Sequence, residues 1–599
     1  MDKKKLRQRN EIEDCFKWNI EAMYPSEELW QKDVDEAVKM TEEFNKFQGH
    51  LTDSAETLAE ALQMKDAIWQ KIEKAFVNAR MKLDEDNRVS LQQGMLDKVN
   101  SQVAGIAASM SFFTPELLEA SEETLRGYLD SCPALATYRF LIESILREKE
   151  HVLSAEQENI LARLSEVTDT SDSVFTMLNN ADMKFGKIRD EDGDEVELTH
   201  GNYIRFMESH NREVRKAAFT HVYEAYKGLI NTISTLYNYN VKTDVIGADL
   251  RHYSSSRNAA MSGDNIPEEV YDNLVNVVHQ YLPVMHRYLE LRKKVLGVDE
   301  LKMYDVYVPL VKVPEKDVPF EEAVKMMKKA LAPLGEEYLE RLDAGVKAGW
   351  IDVYENEGKT SGAYSFGSYD SFPYVLLNYT NSLQDVFTVV HEMGHSMHSS
   401  YTRENQPFIY GGHSIFTAEV ASTVNEALLM RYLLNNEKDP EMHKYLLNKY
   451  IEAFRTTLFR QTMFAEFEHL AHKYVEEGGS LTAEWLCETY NELNRQYHGP
   501  AVAEDEYIRY EWSRIPHFYR SFYVYQYATG YSAATAISGK ILKEGAPARD
   551  AYKEFLKTGE SDYPVELLKI AGVDMSTKEP VLLAMETFKS LVDELESLL

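Results

Sequence analysis

A predominantly all-α fold is what this sequence predicts, and three observations carry it. Segments such as EELWQKDVDEAVKMTEEFNKF (27–47) and EEAVKMMKKALAPLGEEYLERL (321–342) place apolar residues at three-to-four spacing with charges between them. Prolines are sparse, 17 in 599 residues, which leaves room for long helices. Only two stretches break the helical pattern. A chain of 599 residues also exceeds what one hydrophobic core serves, so at least two domains or subdomains are expected.

Composition narrows the function classes. Hydrophobic residues make up 44% and charged residues 27%, which is ordinary for a soluble globular protein. No apolar run of about 18 residues is present, so no membrane span is expected. The opening MDKKKLRQRNEIEDCF is basic but has no apolar core behind it, unlike a secretory signal. Cys15, Cys132 and Cys487 lie far apart and form no CxxC pair, which predicts a reducing, cytoplasmic setting and no thiolate metal site. A formal net charge of -33 argues against nucleic acid or an anionic membrane as partner, since both require basic patches. It reads as a solubility feature.

The 27–47 segment is the first expected helix. KFGKIRDEDGDEVELTH (184–200) carries a DG turn between short alternating runs and reads as a hairpin. It suggests a soft boundary, with an N-terminal helical domain over 1–195 and a second domain over 196–599. The helical 321–342 segment follows. GKTSGAYSFGSYDSFPYVLLNYT (358–380), rich in glycine, serine, aromatic and β-branched residues, reads as two short strands joined by a turn. Gly362, Ala363 and Tyr364 stand on the edge that an extended peptide could join by main-chain hydrogen bonds. The plainer alternative is a hairpin that only packs the next helix.

That next helix, 383–400, carries VVHEMGHSMHSSY (389–401). His391, Glu392 and His395 form HExxH. On a helix the two histidines lie one turn apart on one face, about 5–6 Å between β-carbons, so both imidazoles reach one Zn²⁺. Glu392, rotated by about a quarter turn, stands beside the metal, where it can take a proton from water. Gly394 inside the helix costs about 1 kcal/mol relative to Ala, which predicts close approach of another segment. A catalytic zinc commonly has three protein ligands. His398 lies about 10 Å further along the axis than His391 and cannot complete the set. The metzincin pattern requires Gly at 398 and His at 401, where this chain has His398 and Tyr401. A residue of another helix is then expected, and Glu419, 24 residues after His395 in FTAEVASTVNEALLMRYLL (416–434), is the best candidate. Glu426, two turns beyond Glu419, is read either as an acceptor orienting a ligand histidine or as a surface glutamate. His413, on the loop YGGHS (410–414), is read either as a substrate contact or as a solvated loop histidine.

HEMGHSMH followed by FTAEVASTVNE resembles the M3 family of zinc metallopeptidases. PYVLLNYTNSLQDVFTVVHEMGHSMH and HFYRSFYVYQYATG are close to its oligoendopeptidase F branch. The resemblance runs from about residue 200 to the C-terminus and is densest at 360–430 and 510–535. It implies a neurolysin-like zincin, almost wholly helical, with two halves flanking a deep channel in which short peptides are cut internally. The 196–599 domain would then be catalytic. The resemblance assigns one Zn²⁺ per chain to His391, His395 and Glu419, and the general base to Glu392. It also places a histidine and tyrosines of a late helix near the scissile carbonyl. In IPHFYRSFYVYQYATGYSAA (515–534) these are His517, Tyr523 and Tyr527, the tyrosines one turn apart. Relatives with the longer animal-type motif have a further tyrosine where this chain has Gly530, with Tyr531 beside it. Which tyrosine donates to the oxyanion therefore stays open, and Tyr531 joins the expected substrate-binding residues.

The expected activity is endoproteolysis of short peptides by metal-activated water. An exo-acting carboxypeptidase or peptidyl-dipeptidase of the same fold is the alternative within peptidases. A non-catalytic zinc-binding scaffold is the alternative outside them, but structural zinc sites are usually cysteine-rich and need no Glu392.

Overall fold

The computed structural model describes residues 6–311 and 317–599. Helices account for 73% of the chain. The described residues hold only a two-stranded and a three-stranded sheet, so the predominantly α reading holds. None of the described helices is long and apolar enough to cross a membrane.

The chain forms two compact units, each discontinuous in sequence. The first comprises Met1–Glu150, Lys316–Tyr432 and Ile537–Gly572, the second His151–Glu315, Leu433–Ala536 and Val573–Leu599. These units do not follow the cut expected at 195/196. Helices sort by the apolar faces they bury, and sequence order does not constrain that.

In the first unit, helix Glu27–Phe44 starts at Ser26, whose side chain accepts from the Leu29 amide. It buries Trp30, Val34, Ala37 and Phe44 against a core that includes Leu58, Ile68 and Ile72 of the long helix Ala55–Glu85. The segment 321–342, read as helical throughout, is divided. Helix Phe320–Ala330 ends, a short 3-10 turn Ala332–Leu334 carries Pro333, and helix Glu336–Lys347 begins after Gly335. Pro333 supplies no backbone N–H, and Gly335 has φ 89°, a conformation that favours glycine.

The 184–200 hairpin lies in the second unit. Strands β1 (Lys187–Arg189) and β2 (Glu195–Glu197) pair antiparallel with Ile188 opposite Val196, and Gly193 of the DG turn has φ 87°. The 358–380 strands are β4 (Tyr364–Phe366) and β5 (Tyr374–Leu376), antiparallel with Ser365 opposite Val375. A third strand, β3 (Ile351–Asp352), pairs parallel to β5, giving the order β3-β5-β4. Two residues are too few to show alternation, so β3 left no trace in the sequence pattern. The central strand β5 is fully buried and joins the first unit's core through Tyr374 and Leu376. The β4 strand is left as the half-buried edge.

A buried ion network fixes the approach to that edge. Lys359 Nζ, fully buried, stands 2.7 Å from Asp352 Oδ1 and donates to the carbonyl of Tyr354 at 2.8 Å. Arg9 donates to the same Asp352 at 2.7 Å. Burial works against every charge here. It pulls the Lys359 ammonium below its ordinary value, while the two cations still hold Asp352 below the usual carboxylate range.

Candidate active site

The HExxH residues stand on helix Leu383–Asn405. A capping box starts it: Ser382 Oγ accepts from the Asp385 amide at 3.2 Å and Asp385 Oδ2 accepts from the Ser382 amide at 2.9 Å. Val386, Phe387, Val390, Met393 and Met397 are buried, so the helix is fixed in rotation and its histidine face is fixed with it. The His391 and His395 ring centroids lie 4.9 Å apart.

The second contributor is helix Ile415–Asn436. It crosses where Gly394 has no side chain. A Cβ on Gly394 would lie 2.5 Å from Ser422 Cα and 2.9 Å from the Ala421 carbonyl oxygen. This is the close approach the glycine predicted. Asn425, fully buried, ties the two helices again, donating to the Val390 carbonyl at 3.4 Å and accepting from Tyr338 at 3.2 Å. The contact brings Glu419 opposite the histidines. Gly394→Ala should therefore overpack this contact, costing about 1–3 kcal/mol. The expected result is a lower melting temperature together with reduced bound metal, checked by a thermal melt and elemental analysis.

His391 Nε2 and His395 Nε2 lie 3.2 Å apart, and Glu419 Oε2 lies 3.4 Å from each. Ligands at 2.0–2.1 Å from a tetrahedral ion stand about 3.3–3.4 Å from one another. The triangle fits such an ion. Among the described residues it is the one group of three or more His, Cys, Asp or Glu side chains whose ligand atoms all lie within 4.8 Å of one another. His391 Nδ1 meets Glu426 Oε1 at 2.5 Å. A carboxylate there accepts the Nδ1 proton and leaves the Nε2 lone pair facing the triangle. Ser422 Oγ lies 3.1 Å from Glu419 Oε2.

The electrostatics agree with a site built for positive charge. Burial alone would lower the His391 pKa, but the carboxylates of Glu419 and Glu426 outweigh it and raise it to about 10. Burial alone would raise Glu419, but the two histidines hold it well below the usual carboxylate range. Glu392, 8% exposed, lies outside the triangle, and burial pushes its carboxyl above the ordinary value.

A cavity of about 370 Å³ opens on these residues and is lined also by Ala363, Tyr364 and His413. Gly362 lines a neighbouring cavity of about 270 Å³ with Ala363. The Tyr364 hydroxyl donates to Asp84 at 2.8 Å, so Tyr364 offers the cavity its ring and main chain. Ser365 Oγ lies 2.9 Å from Ser396 Oγ, which pins β4 to the HExxH helix. His413 is the loop histidine that reaches the cavity, and its tautomer can be read. Thr402 donates to the Leu556 carbonyl at 3.0 Å, so it must accept from His413 Nε2–H at 2.9 Å. Burial holds the His413 pKa down to about 3, so the ring is neutral and Nδ1 is an acceptor. His398 stays outside the triangle, buried, its ring tilted against that of His413 with centroids 3.7 Å apart.

His517, Tyr523, Tyr527 and Tyr531 belong to the second unit. His517 lies in the 3-10 turn Pro516–Tyr519, and helix Tyr525–Glu544 carries Tyr527. The Tyr527 hydroxyl is 3.4 Å from His517 Nε2 and 3.5 Å from the Tyr523 hydroxyl. These three form one cluster. Tyr531 packs edge-on against Phe454, centroids 5.0 Å apart.

Sequence reasoning missed Ser422, Asn425 and Ser396. Their signal was a polar residue inside an apolar helical run, as in VASTVNEALLM, where a buried polar group must find a partner.

The model of Peptidase family M3 matches residues 205–587, and the model described as Oligopeptidase F matches residues 116–185. Oligopeptidase PepF of Bacillus subtilis (strain 168) is 48% identical over 99% of this chain and 89% of its own length. The crystal structure of oligoendopeptidase-F from Enterococcus faecium is 39% identical, with TM-score 0.74 over 96% of this chain and 98% of that one. A solved structure from Chlamydophila abortus superposes with TM-score 0.92 at 36% identity, covering 99% of this chain and 100% of that one. An HExxH helix, a glutamate delivered by a neighbouring helix, and similarity along nearly the whole chain converge: the chain belongs to peptidase family M3, in its oligoendopeptidase F branch.

Proposed function

We propose that His391, His395 and Glu419 hold one Zn²⁺ and that Glu392 is the general base of the reaction. The chain is a metalloendopeptidase of oligopeptides. The observation that carries the metal assignment is the triangle of 3.2, 3.4 and 3.4 Å between ligand atoms. Two imidazoles and a carboxylate suit zinc, and cobalt or manganese accept the same donors. When bound, the ion supplies a Lewis acid and a water acidified toward a pKa of about 7.

The chain's own groups do the rest. Glu426 keeps His391 in the tautomer whose Nε2 is free to ligate. Glu392 takes a proton from the attacking water and delivers it to the leaving amine. His517, Tyr523 and Tyr527 are the donors to the developing oxyanion, as the family motif implies, each such donor being worth about 10²–10³-fold. Burial lowers the His517 pKa, which keeps the ring neutral near pH 7. The edge of β4, with Gly362, Ala363 and Tyr364, takes the extended substrate backbone, which favours loose sequence preference. His413 offers Nδ1 to a substrate N–H, and Tyr531 belongs to the substrate-facing set that the motif suggests. The two family models meet between residues 185 and 205, which supports reading 1–195 as the N-terminal part and 196–599 as the catalytic part. Three unbridged cysteines support a cytoplasmic setting.

An internally quenched peptide of about eight residues, blocked at both ends, tests the reading when metal content is measured on the same preparation. Cleavage at an internal bond by zinc-loaded protein is expected. Cleavage only after the termini are freed would favour an exo-acting enzyme, and stoichiometric metal with no cleavage of either peptide would sink the catalytic reading.

A further inference from the structure

Phe522 has φ 54°, a left-handed backbone that a bulky aromatic residue adopts only when its surroundings force it. It sits between Ser521 and Tyr523, where the chain leaves the turn bearing His517 and enters the helix bearing Tyr527. The ring is 2% exposed and lies 4.7 Å from the His472 ring. Its amide donates to Glu468 Oε1 at 2.8 Å.

Glu468 stands on helix Arg460–Glu476 and is fully buried. Its other oxygen, Oε2, has no hydrogen-bond partner. A carboxyl in that situation is costly, and burial raises its pKa to about 8. One turn on, His472 donates through Nε2–H to Asp244 Oδ2 at 3.2 Å and through Nδ1–H to the Glu468 carbonyl at 2.8 Å. Ser521 donates to the same Asp244. The two residues that precede Tyr523 are thus held by acids, Ser521 through its side chain by the partly exposed Asp244 and Phe522 through a strained main chain by the buried Glu468. An apolar side chain of similar size would avoid the unsatisfied oxygen but would leave the Phe522 amide without its acceptor, so the carboxyl's place here is explained by that amide.

We propose that Glu468 is a positioning residue: it holds the left-handed turn at Phe522, and the turn sets the Tyr523 hydroxyl against Tyr527 and His517. The inference rests on the reading that these tyrosines serve the oxyanion. A displacement of about 1 Å in such a group costs about 100-fold in rate, so an acceptor that fixes the preceding peptide has a large lever.

The test separates reach from charge. Glu468→Gln keeps an oxygen at the same reach, and kcat should stay within about threefold of wild type. Glu468→Asp keeps the carboxyl but withdraws it by a methylene, and kcat should fall about 10- to 100-fold with KM nearly unchanged. In a Tyr523→Phe/Tyr527→Phe background, Glu468→Asp should lower kcat by less than about threefold further, because the groups it positions are gone. Metal content should be unaffected in all of these. Equal kcat for Glu468→Asp and wild type overturns the proposal, as does an equal loss in Glu468→Gln, or a full additional loss in the tyrosine-free background. If the tyrosine pair itself proves silent, the oxyanion reading falls and this inference falls with it. If the tyrosines matter and Glu468→Asp does not, only the inference fails.

Discussion

Glu392→Gln is expected to lower kcat by about 10²–10⁴-fold while bound metal stays at the wild-type level. The substitution keeps the side chain's size and one acceptor oxygen, and the position contributes nothing to the His391, His395 and Glu419 triangle. What it removes is the capacity to take a proton. Loss of activity with retained metal therefore isolates the proton transfer from ligation. A pH profile gives the same assignment independently. Burial raises the Glu392 carboxyl, and His391 and His395 oppose that shift. A base must be ionised to act, so wild-type kcat/KM falls as pH drops through this group's pKa, and the residual rate of Glu392→Gln should lack that acid limb. Elemental analysis and steady-state rates on one peptide decide the matter. Wild-type activity in the variant, or activity and metal lost together, would each remove Glu392 from the role of base.

Legibility in the sequence followed the range of the interaction involved. The HExxH pair is a one-turn relation, and helical periodicity supplied it directly. Glu419 lies 24 residues away from His395, and two local signs pointed toward it: an apolar-periodic helix beyond a glycine-rich loop, and Gly394, whose missing side chain admits the Ser422 backbone. Glu426 was open between two readings because helical phase places it beyond Glu419 but does not say what stands across from it. The 2.5 Å contact with His391 is a tertiary fact. The same limit explains β3, visible only through its pairing with β5, and the break of 321–342, where apolar periodicity ran through Pro333 and Gly335 and outweighed both. Strain at Phe522 is the least legible of all. A phenylalanine gives no sign of a left-handed backbone, since that conformation is imposed by Glu468 and not preferred by the residue.

Stripping the metal should abolish peptide cleavage and change how stability depends on pH: the metal-free protein loses stability toward alkali, and the gain conferred by metal grows over the same range. In the metal-free protein the His391 pKa is raised to about 10 from an ordinary value near 6.5. That stabilisation is fully present below about pH 6.5 and is lost as pH rises through about 10. Glu419, held below its ordinary value, is the other half of the same ion pair. Its contribution is present above about pH 4.5 and vanishes only in stronger acid. Across pH 6–10 the histidine alone sets the slope, so this site makes the metal-free protein less stable toward alkali. A bound cation requires His391 Nε2 unprotonated, so protons compete with it. Below the raised pKa, affinity should fall about tenfold per pH unit for each proton displaced. A ligand at 1,000 times its Kd stabilises by about 4 kcal/mol, so the gain in melting temperature on adding zinc at fixed concentration should grow from pH 6 to pH 9. Paired thermal melts, with chelator and with zinc, read this gain at each pH. A gain independent of pH would mean that the cation does not displace the His391 proton, and the triangle would then not be the binding site.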